Sequence, residues 1–217
     1  PKAAEKLWQA MPGLEGVAGT LKPFHGAPVG GMFNVTNVLL ACETVHALGI
    51  AVSDIARAAT RLHSVSGRFE VVSTAPLVVV DYAHTPDSLN QAIQAARRLS
   101  KGRVITVFGC GGDRDIGKRP LMGAIAAKMA DRVIVTDDNP RSENPAAIRA
   151  AILKASPDAT EIGDRREAIR SAISGLQRGD VLLVAGKGHE TGQIVGDRVL
   201  PFSDRETVEA ALKEMGA

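Results

Sequence analysis

"DRVIVTDDNPRSENP", residues 131–145, places a strand, a turn and a helix start within a single short stretch. Val133, Ile134 and Val135 are β-branched and apolar on both faces, the mark of a strand buried inside a parallel sheet. Asn144 followed by Pro145 has the form of an N-cap and first-turn pair, because proline needs no amide partner there. The same grammar recurs on either side. "FEVV", "LVVVD", "RVITVFG" and "DVLLVAG" read as further buried strands. Thr85 with Pro86 reads as another helix start, and Asp164 with Glu167 and Ser203 with Glu206 read as capping boxes. The alternation predicts an α/β fold, a doubly wound and mostly parallel sheet, over residues 67–217. Upstream the pattern is helical. "TNVLLACETVHAL" spaces its apolar residues as a helix over 36–48 with Gly49 as the stop, and a second helix is expected from an N-cap at Ser53 to near Leu62. A boundary near Ser66–Gly67 separates residues 1–66 from 67–217.

The bulk composition narrows the class. With 217 residues and 45% apolar content the chain can bury a proper core. Its 26 Lys and Arg against 24 Asp and Glu give a formal charge of +2, with no block of like charge, so neither a nucleic acid nor a membrane surface is an expected partner. Cys42 and Cys110 form no CxxC or Cys/His ligand spacing, so no disulfide framework or zinc site is expected. No secretory leader or spanning run is read from the sequence, and a cytoplasmic monomer is the expectation. Pro1 stands where a methionine would begin a complete chain, which raises the expectation of a fragment.

In an open parallel sheet, ligands bind beyond the carboxyl ends of the strands. The unusual residues of this chain follow those ends: "YAHTP" after Asp81, "CGGDRDIGKRP" after Gly109, "DNPR" after Asp137 and "KGHE" after Gly186. Asp81 suits either a turn-capping role or contact with ribose hydroxyls or a cation near phosphates. The glycine-rich loop carries the cations Arg114, Lys118 and Arg119, yet it is neither a Walker A loop nor a dinucleotide fingerprint, since Arg114 stands at the third glycine position. Pro140 pushes Asn139 out of the α region and stiffens the turn that presents Arg141. A guanidinium is a planar fork suited to a carboxylate, and Asp137 or Asp138 could receive an ammonium. Gly186 and Gly188 open the backbone, and Glu190 adds a further carboxylate. A polyphosphate alone would call for cations; a rim carrying both signs suits a zwitterion such as an amino acid.

Taken together, "DYAHTPDSL", "VFGCGGDRDIGKRPLMG", "VTDDNPR" and "VAGKGHE" resemble the Mur ligases, and within them the MurE branch, over about residues 33–204. The resemblance implies a Rossmann-like Mur ligase C-terminal domain at 67–217, preceded by a helical remnant of the central ATPase domain at 1–66. It implies an ATP- and Mg2+-dependent amide ligase of peptidoglycan precursor synthesis. The γ-carboxylate of UDP-MurNAc-L-Ala-D-Glu becomes an acyl phosphate, which the amine of meso-diaminopimelate attacks. By the resemblance, Arg114, Asp138, Asn139, Pro140, Arg141, Gly186 and Glu190 hold diaminopimelate, with Arg141 on the distal carboxylate that lysine lacks. Asn34 and Asn37 of "FNVTN", with Arg68 and Asp81, are implied to lie at the nucleotide; taken alone, the two asparagines suit helix capping.

The chain departs from the family by lacking its GxxGKS/T-type phosphate loop, carbamylated lysine and magnesium ligands. No catalytic or metal-binding residue is therefore expected within it, and it reads as a fragment carrying the amino-acid site. Two alternatives stand beside this reading: a sister ligase adding lysine or another amino acid, and a non-catalytic small-molecule-binding module on a doubly wound sheet.

Overall fold

The computed structural model describes residues 32–59, 61–62 and 65–216. The chain divides between Val65 and Ser66 into two units. In the first, α1 spans Met32–Ala47 and α2 spans Val52–Ala59. The α1 helix begins earlier than the expected Thr36, so Asn37 lies within the helix and not at its cap; Asn34 is also in α1, but its side chain is outside the described residues. Ser53 likewise falls inside α2. The Ala51 carbonyl accepts from the amides of Asp54 and Ile55 at 3.0 and 3.1 Å, which moves the helix start ahead of the serine. The α2 helix ends at Ala59, short of Leu62; Arg61 and Leu62 instead bond back to Ala58 and Ala59, a tighter last turn.

The second unit is built on a six-stranded sheet. Its strands are β1 (Glu70–Thr74), β2 (Leu77–Asp81), β3 (Val104–Phe108), β4 (Arg132–Val135), β5 (Thr160–Glu161) and β6 (Val181–Ala185). They lie in the order β1-β2-β6-β3-β4-β5. From β2 to β5 every pairing is parallel. The exception is β1, which the sequence places among the buried parallel strands but which pairs antiparallel with β2. The connection explains it: Ala75 and Pro76 alone join the two strands, and a parallel pairing needs a long crossover. A separate hairpin, β7 (Gly192–Val195) with β8 (Arg198–Pro201), was not legible in the sequence.

Five helices cover the sheet: α3 (Pro86–Leu99), α4 (Lys118–Met129), α5 (Pro145–Leu153), α6 (Arg165–Ser174) and α7 (Asp204–Glu214). Packing runs from α3 to α4 to α5, and separately from α6 to α7. Alternation along each strand divides the apolar residues between faces. Val78, Val80, Ile105, Val107, Leu182 and Val184 join the cluster with Ile169 and Ile173 of α6 and Val208 of α7. The central strands β3 and β6 are buried at every position, as their two-sided apolar sequence requires.

The caps form where the sequence places them. Thr85, Asn144, Asp164 and Ser203 each accept a backbone amide from the first turn of their helix. The reciprocal box forms at Thr85 with Ser88, a pair the sequence reading passed over: Ser88 N donates to Thr85 Oγ1 at 3.2 Å and Thr85 N donates to Ser88 Oγ at 3.0 Å.

One buried ion pair braces the strand ends. Arg165, at the start of α6, and Asp204, at the start of α7, both have wholly buried side chains. The guanidinium bonds both carboxylate oxygens, Nε to Oδ1 at 2.7 Å and Nη2 to Oδ2 at 2.8 Å, and Nη2 also donates to the Ala185 carbonyl at the end of β6. Nη1 reaches the Asp137 carbonyl beyond β4 at 3.4 Å. Removing one member of such a pair strands a buried charge. Asp204→Ala should lower unfolding free energy by about 3–5 kcal/mol, whereas replacing both partners by apolar residues of similar volume should cost much less. Urea denaturation of the two variants checks this; similar losses in both would contradict it.

At the opposite, amino ends of the strands, Asp180 accepts from Arg103 through its backbone amide, Nε and Nη2 at 2.8, 3.1 and 2.6 Å, and from Gln177 N at 2.9 Å. The hydrogen-bonded guanidinium holds the Asp180 carboxyl down from 3.8 to about 2, against the opposing effect of burial. A folded-state value below the unfolded one gives stability that is present above 3.8 and is lost as pH falls through about 2. The stability gap between the native protein and Asp180→Asn should therefore be widest above that window and shrink through it. A gap that stays constant in acid denaturation would contradict the assignment.

Candidate functional site

The parallel strands β2, β6, β3 and β4 are lateral neighbours, so the four loops that follow them lie side by side at one end of the sheet. Their glycines allow the backbones to touch. A Cβ on Gly112 would lie 1.9 Å from the Pro140 carbonyl oxygen, so the loop after β3 can seat against "DNPR" only with glycine there. Gly186 has φ +121°, and a Cβ there would meet Asp138 Oδ2 at 2.7 Å.

Asn139 is the node of this rim. It is 3% exposed. Its Oδ1 accepts from Lys187 Nζ at 2.8 Å and from Ile194 N at 3.0 Å, and its Nδ2 donates to Glu190 Oε2 at 2.9 Å. Lys187 is completely buried, and its ammonium also donates to Glu190 Oε2 at 2.9 Å. Burial pushes the Glu190 carboxyl up, but the hydrogen bonds from Asn139 and Lys187 outweigh it and hold the group below its ordinary range, keeping it ionised.

Arg141 sits beside this network in a left-handed conformation, φ +52°. Its backbone is fixed to the β7–β8 hairpin: Arg141 N donates to the Ile194 carbonyl at 3.0 Å and its carbonyl accepts from Gly196 N at 2.7 Å. Its side-chain Nη1 donates to the Gly112 carbonyl at 2.9 Å. The guanidinium is thus oriented by backbone carbonyls and makes no ion pair within 4 Å among the described residues, while the Asp113 and Glu190 carboxylates lie near enough to feel its charge.

Of the two neighbouring aspartates, Asp137 is paired with Arg149, which also donates to Glu161 at 2.8 Å. Asp138 carries its own backbone link, Asn139 N to Oδ1 at 2.7 Å, and has no salt bridge among the described residues. Asp138, Asn139, Pro140, Arg141, Gly186 and Glu190 are therefore brought together. Arg114, on the loop after β3, is exposed, with Nη1 donating to the carbonyl of Asp113 at 2.8 Å, and Asp113 in turn accepts from Ser142 next to Arg141.

On the β2 side, Asp81 is 5% exposed, and its oxygens accept from Phe69 N at 2.6 Å and Ala83 N at 2.8 Å. Burial raises its carboxyl above the usual range despite these amides. The Arg68 guanidinium lies 4.5 Å from the Tyr82 ring centroid, a cation–π contact, and the His84 and His189 rings lie 4.6 and 5.5 Å from the same ring. Asn37 is exposed on α1 in the other unit.

Lys187 and Arg165 were missed by sequence reasoning. The only signal available was a cation at a strand end otherwise made of apolar residues and glycine, and a basic residue in the first turn of a helix, where the macrodipole disfavours it. Lys118, one of the three cations of the glycine-rich loop, is used locally, donating to the His84 carbonyl at 2.9 Å.

Residues 67–188 match the family model described as "Mur ligase, glutamate ligase domain". The chain is 55% identical over 193 residues to the UDP-N-acetylmuramoyl-L-alanyl-D-glutamate--2,6-diaminopimelate ligase of Chelativorans sp. strain BNC1, an alignment covering 88% of this chain and 40% of that protein. A solved structure of a ligase of the same name superposes with a TM-score of 0.68 at 39% identity, over 87% of this chain and 40% of the other. A Mycobacterium tuberculosis folylpolyglutamate synthase, 23% identical with a TM-score of 0.60 over 73% of this chain and 38% of its own, shares the fold. The chain thus spans about 40% of the length of the curated relatives it matches. With residues 67–188, more than half of its length, matched by the family model and most of it aligned with a relative at 55% identity, the chain belongs to the Mur ligase family.

Proposed function

We propose that this chain supplies the amino-acid-binding part of an ATP-dependent amide ligase that joins meso-diaminopimelate to UDP-MurNAc-L-Ala-D-Glu. The observation that carries the reading is Arg141: a guanidinium aimed by backbone carbonyls, with no ion pair among the described residues, beside the half-buried Glu190 carboxylate, which is held below its ordinary range, and the buried Asp138. Diaminopimelate carries an ammonium and a carboxylate at each end. Arg141 would take the distal carboxylate as a fork, and Asp138 and Glu190 would face the distal ammonium. Asn139 and Lys187 would hold Glu190 in place and ionised. With one end gripped, the other amine is free to attack the acyl phosphate, so that the chain contributes chiefly by positioning. Arg114, exposed on the neighbouring loop, would add a second cation toward the carboxylate.

Arg68 acts on the Asp81 carboxylate at the end of β2, and we assign both to the nucleotide, with the half-buried Tyr82 ring and the exposed Arg68 above it as a stacking face. No group of three His, Cys, Asp or Glu side chains among the described residues is placed to hold a metal ion, so no step is assigned here to Mg2+. Among the described residues no helix is long and apolar enough to cross a membrane.

Lysine lacks the distal carboxylate, which gives the test. Arg141→Ala in the full-length product of the gene should lower kcat/KM for diaminopimelate by roughly 2–5 kcal/mol equivalent, as when one partner of a buried charge pair is removed. The already poor use of lysine should change little. Equal losses for both substrates would assign Arg141 a general structural role, and no loss for either would leave "DNPR" as a polar turn.

A further inference from the structure

Arg119 lies in the first turn of α4, where the glycine-rich loop runs into the helix, and is 3% exposed. Its Nη2 donates to Glu143 Oε1 at 2.8 Å. The same oxygen accepts from Asp113 N at 2.6 Å. Asp113 in turn accepts from Ser142 through Oγ at 2.6 Å and N at 3.2 Å. The two loops are therefore joined in both directions, residue 113 to 143 and residue 142 to 113, and Gly112 N closes the set on the Asn139 carbonyl at 2.9 Å.

Two features suggest that this link does more than fill space. Asp113 and Arg141 are both non-glycine residues in the left-handed region, with φ +54° and +52°. Such conformations persist only where surrounding contacts enforce them, and they concentrate at binding sites. Arg119 Nε is buried without a hydrogen-bond partner, so the side chain keeps its place at a cost in desolvation. The carbonyl that orients Arg141 belongs to Gly112, which sits between these anchored residues.

We infer that Arg119 and Glu143 form a positioning clamp that fixes the Gly112 carbonyl, and through it the Arg141 guanidinium, and so set selectivity for a substrate with a distal carboxylate. This rests on the assignment of Arg141 to that carboxylate. Neither Arg119 nor Glu143 touches the ligand in this account; both act through residue 112.

The test uses Glu143→Ala and Glu143→Gln in the full-length product, with two readouts. In the unliganded protein, the Asp113 amide should exchange with solvent about 10- to 100-fold faster in Glu143→Ala, the factor corresponding to a lost hydrogen bond to a charged group. In the assay, KM for diaminopimelate should rise by a similar factor of about 10- to 100-fold while KM for ATP stays within about twofold. Glu143→Gln keeps an acceptor without the charge and should shift both readouts in the same direction by about 3- to 10-fold, which decides the matter if the alanine variant does not fold. Equal rises in both KM values, or Asp113 exchange unchanged, would overturn the clamp. If the unmodified protein does not use diaminopimelate, the functional reading fails and amide exchange alone judges the clamp: faster exchange sustains it, unchanged exchange overturns it.

Discussion

The rim depends on one electrostatic constraint, the completely buried ammonium of Lys187. A charge removed from water is tolerable only with close partners, and here these are Asn139 Oδ1 and Glu190 Oε2. Satisfying Lys187 thereby fixes an amide from the loop after β4 and a carboxylate from the loop after β6. Because Asn139 also accepts from Ile194 N, the β7–β8 hairpin is drawn to the same point. A short strand pair with little core of its own is thus anchored by the polar network beneath it, and that hairpin then holds the backbone of Arg141.

Around this node the charges sort into those consumed by structure and those left for a ligand. Arg165 is spent on Asp204, Arg149 on Asp137 and Glu161, and Arg119 on Glu143. Asp138 and Arg141 have no ion-pair partner among the described residues, and Glu190 is ionised with one side toward solvent. The sorting makes the mixed-sign rim more specific than its composition. A zwitterion meets fixed charges of both signs whose orientation is set before it arrives, so little ordering remains to be done on binding.

Much of this was legible from residues alone, and the reasons differ by feature. Strands β3, β4 and β6 announce themselves because two-sided burial demands short runs that are almost wholly apolar. The caps at Thr85, Asn144, Asp164 and Ser203 follow from local chemistry that operates over three residues. The β7–β8 hairpin carries no such signal: Val195, Val199 and Leu200 remain substantially exposed, and its place depends on Asn139, more than fifty residues earlier in the chain. Sequence charge also could not choose between Asp137 and Asp138, since the choice is made by Arg149 across a loop. Lys187 passed unremarked in the sequence, and only its burial reveals it as the centre of the network.

The central claim is that Arg141 is held ready for a distal carboxylate, and the most direct measurement is a crystal structure of the full-length protein grown with meso-diaminopimelate. The account predicts the distal carboxylate at roughly 2.7–2.9 Å from the Arg141 guanidinium, the spacing of a charge-assisted bond, with Arg141 still seated on the Gly112 carbonyl and the distal ammonium toward Asp138 and Glu190. Ligand bound with that carboxylate away from Arg141, or a rim left empty at saturating diaminopimelate, would contradict it.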